Sequence, residues 1–195
     1  MAQFLTVAST GKSTFFETRA LGPTVVMLLS NTTCGAIVTF ITIYAMQQGI
    51  ANIGVFFTVY AGALALSRPV VGWLVDRRGY NIVVFPGLIM IAGAMVLLSQ
   101  AQLLWMFLLS AAIYGVGFGA IQPSMQALAV ADLPVNRRGA ASGTFYIGFD
   151  LGIGIGAVLW GAVSQAISYS GMYLVAAIPA ALALLAYLFT KHQRK

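Results

Sequence analysis

The sequence predicts an all-α integral membrane protein with six transmembrane helices, and three observations support this fold class. Hydrophobic residues make up 60% of the 195 positions and charged residues only 7%, whereas a soluble domain carries about 25% charged residues. Six segments reach the length of about 20 mostly apolar residues that a spanning helix needs. None of them alternates strictly between apolar and polar residues, as a membrane β-strand would.

The six spans are placed where the apolar runs lie. They are predicted at Pro23–Gln47, Gly54–Val75, Ile82–Ser99, Leu103–Ala131, Ala140–Ser164 and Met172–Thr190. We therefore expect a cytoplasmic N-terminal segment over residues 1–22, a transmembrane domain over 23–190 and a basic cytoplasmic tail over 191–195. Pro123 follows three glycines in span 4 and is the expected position of a bend.

The basic residues outside the spans predict the orientation of the chain. Nine of its ten lysines and arginines fall on one side of the membrane if there are six spans: Lys12, Arg19, Arg77, Arg78, Arg137, Arg138, Lys191, Arg194 and Lys195. The three loops on the other side contain no charged residue. The positive-inside rule then predicts a multi-pass protein of the cell membrane with both termini in the cytoplasm.

The chain has few residues that could support catalysis or metal binding. It contains one cysteine, Cys34, and one histidine, His192. An intrachain disulfide, a Cys/His metal site and a catalytic Ser-His-Asp or Cys-His set within the membrane are therefore excluded. We expect neither an enzyme nor a bound metal or cofactor. Because the basic residues lie between apolar runs, we attribute the net charge of +6 to membrane topology and expect no nucleic-acid partner.

Span 1 carries unusually many polar side chains for a membrane helix: Asn31, Thr32, Thr33, Thr39, Thr42 and Tyr44. One interpretation is helix–helix packing through small and hydroxyl residues. The other is the wall of a cavity. Spans 3 and 6 are almost entirely apolar, which suits helices that face lipid.

Span 5 combines a glycine stripe with an acidic residue. Gly148, Gly152 and Gly156 recur at a spacing of four, which allows another helix to approach closely. Asp150 lies two positions from Gly148 and so points about 200° away around the helix. The sequence therefore predicts one face of span 5 that packs and another that presents a carboxyl group.

Asp150 is the only acidic residue inside any predicted span. An ionisable group there costs several kcal/mol unless it is paired, hydrated or protonated. A structural pair with Arg68 or Asn31 is one interpretation. The other is a proton-coupling role with Arg68, since burial favours the neutral carboxyl and a nearby guanidinium favours the carboxylate.

A spaced motif joins spans 2 and 3. The sequence reads Gly72-Trp73-Leu74-Val75-Asp76-Arg77-Arg78-Gly79, which fits the pattern G-x-L-x-D-R-x-G. We expect Gly72 to allow close helix contact, Asp76 to accept hydrogen bonds from a helix N-terminus, and Gly79 to form the turn. Arg77 can pair with an acid such as Asp132, which follows span 4 on the same side.

This motif resembles a signature of the major facilitator superfamily, in which it joins the second and third helices of each six-helix half and belongs to the conformational switch. Tyr80 and Asn81 replace the further basic residues that are usual there, as in degenerate second-half copies. The runs Tyr114–Gly119, Arg137–Ala140 and Phe149–Gly152 are similar to the tenth helix, the next loop and the eleventh helix of such transporters. The resemblance covers nearly the whole chain.

The resemblance implies the C-terminal half of a drug or metabolite:proton antiporter, with an inverted three-plus-three repeat. It further implies that spans 1, 2, 4 and 5 face the substrate cavity while spans 3 and 6 face lipid. A second six-helix half would complete the cavity, either in a homodimer or as a separate N-terminal half.

We therefore expect a secondary active transporter or half-transporter that exports a small organic molecule in exchange for protons. Its candidate cavity residues are Asn31, Thr32, Tyr60, Tyr114, Gln122, Gln126 and Tyr146. Aromatic and amide side chains with few charges suit an amphipathic or weakly polar substrate. The alternatives are a non-transporting membrane fragment or assembly partner of a full-length transporter, and a uniporter or sugar-type importer.

Overall fold

The computed structural model describes residues 17–193, with side chains as far as Thr190, and this part of the chain is helical without a β-strand. A short 3₁₀ turn over Thr18–Ala20 precedes seven α-helices. They are α1 (Leu21–Gln47), α2 (Gly54–Arg78), α3 (Asn81–Ser99), α4 (Leu104–Val130), α5 (Val135–Ala166), α6 (Tyr169–Val175) and α7 (Ala177–Gln193).

Six of the described helical segments are long and apolar enough to cross a membrane, with α6 and α7 together forming the sixth over Tyr169–Thr190. The predicted six-helix fold is confirmed. Of the predicted cytoplasmic segment over 1–22, residues 1–16 lie outside the described residues. Of the predicted tail over 191–195, residues 194–195 also lie outside them, and only the backbone of 191–193 is described.

Two helices are longer than the apolar runs that predicted them. Helix α5 begins at Val135, directly after the extended Pro134 (φ −63°, ψ 154°), and not at Ala140. Helix α2 continues to Arg78 and ends at Gly79, whose φ of +78° lies in the left-handed region that favours glycine. The apolar pattern marks the part of a helix that needs lipid, whereas proline and glycine mark where the helix itself begins and ends.

The sixth span is interrupted at Ala176, which the apolar sequence did not lead us to expect. Pro179 explains the break, because its ring clashes with the carbonyl group four residues earlier, at Val175. That residue is the last of α6. In contrast, α4 is one uninterrupted helix through Pro123.

The helices pack in a pattern that is symmetric between the two halves of the chain. Helices α1 and α4 meet at the centre, α5 packs on α1, and α2 packs on α4. Helix α3 packs on α4, the sixth span packs on α1, and α3 and the sixth span pack on each other. Exchanging spans 1, 2 and 3 with spans 4, 5 and 6 maps these pairs onto one another, as an inverted three-plus-three repeat requires.

The contact between α1 and α5 is a close approach of two backbones. A Cβ atom added at Gly152 would lie 2.5 Å from the carbonyl oxygen of Leu28, and one added at Gly156 would lie 2.5 Å from that of Thr32. The Trp160 Nε1–H group also donates to the Thr32 carbonyl at 2.8 Å. These positions of α5 therefore tolerate only glycine at the present helix separation.

Helices α2 and α5 are the least buried spans. Only 17% and 22% of their most apolar stretches are buried, compared with 61% in the first span and 56% in α4. The six-helix body therefore has a well-packed centre, with α2 and α5 as two open flanks.

The α1–α5 contact generates a stability prediction. Gly152→Ala places a methyl group against the α1 backbone, and such overpacking typically costs about 1–3 kcal/mol of unfolding free energy. The matched control is Gly154→Ala, two residues away on the same helix, where an added Cβ meets no atom within 4 Å.

We expect Gly152→Ala to unfold at a lower temperature than the wild type in detergent, and Gly154→Ala to match or exceed it. Equal melting temperatures of the two variants would contradict the close contact.

Candidate functional site

A polar cavity of about 480 Å³ lies between α2, α4 and α5, near the C-terminal end of α2. Six of its lining residues belong to the sequence-predicted set: Arg68, Gly72, Asp76, Gln122, Gln126 and Tyr146. Val71, Val75, Tyr80, Pro123, Ser124 and Ala127 complete the lining. The structure thus brings together residues from three helices that are far apart in sequence.

Two glutamines on α4 organise the polar contacts of this cavity. The Arg68 guanidinium of α2 donates to Oε1 of Gln122 at 3.4 Å. One turn further along α4, the Gln126 amide donates to the Tyr146 hydroxyl of α5 at 3.0 Å. Helix α4 is therefore hydrogen-bonded to both open flanks. Because an amide group contains both a donor and an acceptor, either glutamine could also hydrogen-bond a polar molecule in the cavity.

Asp150 lies on α5 one turn beyond Tyr146 and is exposed. It borders a shallow, otherwise apolar groove formed by α5 alone, lined by Ile147, Leu151, Gly154, Ile155, Val158 and Leu159. In the described part of the chain Arg68 contacts Gln122, and no ion pair joins it to Asp150. Arg68 and Asp150, the two residues expected to couple transport to protons, therefore line different surfaces in this structure.

Some residues of the motif at the end of α2 line the cavity, and others lie on the surface of the protein. Gly72 and Asp76 line the cavity, and a Cβ added at Gly72 would meet no described atom within 4 Å. The Arg77 guanidinium lies 4.4 Å from the centre of the Trp73 ring, which is the geometry of a cation–π contact. Asp132 is exposed in the turn between α4 and α5.

Asn31 and Thr32 lie in the α1–α5 contact and not in the cavity. Asn31 is fully buried and donates from Nδ2 to the Phe149 carbonyl at 2.7 Å. Its Oδ1 atom has no hydrogen-bond partner among the described residues. The Thr32 hydroxyl donates to the Leu29 carbonyl of its own helix. The structure therefore places Asn31 and Thr32 in the packing between α1 and α5, away from the lining of the polar cavity.

Tyr60 and Tyr114 belong to a row of aromatic rings that crosses three helices. The ring centres of Tyr60 and Tyr114 are 5.8 Å apart, and so are those of Tyr114 and Phe118. The distance between ring centres is 6.4 Å for Phe118 and Phe149 and 6.2 Å for Phe149 and Tyr146. This aromatic row runs from α2 through α4 to α5 and ends at the polar cavity.

Sequence reasoning did not single out Phe118 and Phe149, the third and fourth of the five members of the aromatic row. Helical spacing was the available signal, because Phe118 follows Tyr114 by four positions and Phe149 follows Tyr146 by three. Residues at these spacings share one face of a helix. Apolar rings in an apolar helix nevertheless gave no reason to single them out.

Sequence reasoning also missed the role of Glu17. This residue is 2% exposed, and its Oε2 atom lies 3.2 Å from Nε of Arg137 near the start of α5. Its backbone N–H group donates to the Thr144 hydroxyl at 3.1 Å. A basic residue near a helix N-terminus is unfavourable because of the helix dipole, and Glu17 offsets that effect while it fastens the segment before α1 to α5.

Comparison with known proteins agrees with this architecture. Residues 21–195 match the family model described as Major Facilitator Superfamily. An uncharacterized MFS-type transporter of Pseudomonas aeruginosa strain UCBPP-PA14 is 32% identical over 160 residues, which are 82% of this chain and 40% of the relative. One from Methanocaldococcus jannaschii is 29% identical over 167 residues, or 84% of this chain and 43% of the relative.

Two further proteins extend the comparison. The staphylopine export protein of Staphylococcus aureus strain Mu50 is 28% identical over 167 residues, which are 83% of this chain and 42% of that protein. A peptide transporter (POT) solved in complex with sulfate superimposes with a TM-score of 0.76 at 20% identity, covering 88% of this chain and 37% of that one. The chain spans about two fifths of the length of these relatives. It is a multi-pass membrane protein, and it belongs to the major facilitator superfamily.

Proposed function

We propose that this chain forms half of a secondary active transporter that exports a small organic molecule across the cytoplasmic membrane in exchange for protons. The observation that carries the proposal is the polar cavity, in which α4 presents Gln122 and Gln126 between two open flanks. The chain covers about two fifths of its relatives, which supports a second six-helix half as the opposite wall of the cavity.

The composition of the cavity supports a partner half. Arg68 and Tyr146 are exposed in this chain, and Gln122 and Gln126 are half-buried. Lipid offers no hydrogen bonds to such groups, so leaving them against acyl chains is costly. A second half facing α2 and α5 would enclose them in a hydrated cavity.

The same residues support an amphipathic substrate. The cavity is lined by one guanidinium, one carboxylate, two amides, two phenols and one serine hydroxyl, and the aromatic row begins at its edge with Tyr146. A substrate with a planar or apolar body and a few hydrogen-bonding groups matches this surface. The name of one relative, a staphylopine export protein, supports export as the direction of transport.

Asp150 is our candidate for the proton-coupled group. A carboxylate exposed on a membrane helix is costly, and protonation removes the charge. We propose that Arg68 exchanges its contact with Gln122 for one with ionised Asp150 during the transport cycle, so that protonation of Asp150 controls the position of α5 relative to α4.

If Asp150 has this coupling role, its substitution should affect pH-driven flux and substrate binding differently. In proteoliposomes that contain the chain with its partner half, Asp150→Asn should abolish substrate flux driven by a pH gradient but retain substrate binding. Asp150→Glu restores a carboxyl group and should recover part of the flux.

Normal pH-driven flux by Asp150→Asn would show that the residue is structural. Flux by the chain reconstituted alone would establish a self-sufficient transporter, whereas flux only in the presence of a separate N-terminal half would establish a heteromer. An absence of flux in every combination would favour the non-transporting assembly partner.

The distribution of basic residues predicts the topology. In a Cys34→Ala background, Gln100→Cys in the α3–α4 loop should react with an impermeant thiol reagent added outside cells. Asn136→Cys, exposed near the start of α5, should react only after the membrane is opened. The reverse pattern of labelling would contradict cytoplasmic termini.

A homodimer predicts a contact between the end of α2 and the start of α5 in the partner. We propose that Asp76 of one protomer lies near Gly139–Ser142 of the other, where Arg137 and Arg138 in the preceding first turn of α5 attract an anion. Asp76→Cys combined with Ser142→Cys should form a disulfide-linked dimer, while Asp76→Cys combined with Gln165→Cys, from the opposite end of α5, should not. A chain that remains strictly monomeric in membranes and still transports would defeat this arrangement.

A further inference from the structure

A second groove lies away from the polar cavity, between the start of α3 and the end of α7. Its volume is about 510 Å³, and its lining residues are Arg78, Asn81, Ile82, Phe85, Pro86, Tyr187 and Leu188. None of them lines the polar cavity. Helix α3 and the sixth span are the two most apolar spans, and they pack behind α1 and α4, on the side that remains in contact with lipid when a second half covers α2 and α5.

One end of this groove is polar and basic. Arg78 is the last residue of α2 and Asn81 is the first of α3, and both are exposed. The Tyr187 hydroxyl donates to Oδ1 of Asn81 at 2.6 Å, so the amide keeps its N–H groups for another acceptor. Among the described residues that line the groove, none is acidic. A guanidinium and an amide N–H together suit the oxygen atoms of a phosphate group.

The rest of the groove is apolar and accessible. Ile82, Phe85 and Leu188 are between 41% and 43% exposed, and Pro86 lies between them on the same surface. The apolar lining extends from the basic end of α2 over the first turn of α3, about 6 Å along the helix axis, and over the facing turn near the end of α7. This length suits the first methylene groups of an acyl chain below a phosphate headgroup.

We propose that this groove binds one anionic phospholipid, with its phosphate at Arg78 and Asn81 and an acyl chain along Ile82, Phe85 and Leu188. Basic pockets between transmembrane helices at the cytoplasmic surface are suited to such lipids. In the sequence, Lys191, Arg194 and Lys195 follow Leu188 within seven positions. A zwitterionic lipid would bring an ammonium group to a site lined by a cation and no acid.

The proposal is tested on the purified 195-residue chain in detergent by native mass spectrometry. Phosphatidylglycerol and phosphatidylcholine with identical acyl chains are added in equal amounts, and the fraction of protein that retains each lipid is measured. We expect phosphatidylglycerol to be retained preferentially. Arg78→Gln should lower its retention about fivefold, the effect of one surface arginine.

Arg77→Gln is the matched control for charge, because it removes the same charge from the adjacent residue, whose guanidinium lies over Trp73 outside the groove. It should leave retention nearly unchanged. Arg78→Lys keeps the charge and should keep the preference for the anionic lipid, which makes the test independent of whether Arg78→Gln folds. Equal losses in Arg77→Gln and Arg78→Gln would show diffuse surface charge and overturn the site.

Leu188→Trp tests the apolar part, since the larger side chain should fill the groove and lower retention. Leu185→Trp, on the same helix at 51% exposure but outside the groove, should not. Equal retention of both lipids by the wild type would overturn the proposal. So would displacement of phosphatidylglycerol by inorganic phosphate at equal concentration, because it would identify a simple anion site.

Discussion

The backbone contact between α1 and α5 determines which way α5 faces, and most of the candidate site depends on it. Gly148, Gly152 and Gly156 must face α1, because nothing larger fits at that separation. Tyr146 and Asp150 lie two positions on either side of Gly148, so they point to the opposite side of the helix. The polar surface of α5 is therefore a geometric consequence of the glycine stripe.

Helix α4 is fixed in a comparable way from two sides. A Cβ atom added at Gly115 would lie 2.6 Å from the Tyr60 carbonyl oxygen of α2, and one added at Gly117 would lie 2.7 Å from the Gly87 carbonyl oxygen of α3. With small residues on both faces, α4 is held between α2 and α3. Gln122 and Gln126, further along the same helix, then meet the flanking helices at the polar cavity. Packing residues thus position the polar ones without touching them.

The features that sequence could predict are those that depend on a single helix. The six spans follow from local apolar runs, and the outward direction of Asp150 follows from its offset from Gly148. The Gln126–Tyr146 hydrogen bond, the aromatic row and the Glu17–Arg137 pair each join segments that are distant in sequence, and their formation depends on how helices pack. The break at Ala176 had a local signal in Pro179, but a uniformly apolar run around it gave no reason to expect an interruption.

Many of the polar atoms in the membrane are satisfied within their own helix, which leaves few for function. Ser30, Ser110 and Ser124 each donate to the carbonyl group four residues earlier at 2.7 to 2.8 Å. Such bonds remove the cost of a hydroxyl in lipid and use the proton that each hydroxyl could otherwise donate to a ligand. The polar side chains that remain accessible on the cavity face are therefore more informative than the larger number of polar residues in α1.

The end of α2 connects the two surfaces that this chain presents. Asp76 lines the polar cavity and Arg78 lines the groove on the lipid side, although they are only two positions apart in the sequence. Two positions correspond to a rotation of about 200° around a helix. The last turn of α2 therefore faces the cavity on one side and the bilayer on the other. Helix α2 packs closely on α4 at Tyr60, but a Cβ added at Gly72, nearer its end, would meet no described atom within 4 Å, so less packing opposes movement of this end of the helix. A lipid held at Arg78 would therefore restrain the same helix end that places Asp76 and Arg68 at the cavity, and lipid composition would act on the cavity through α2.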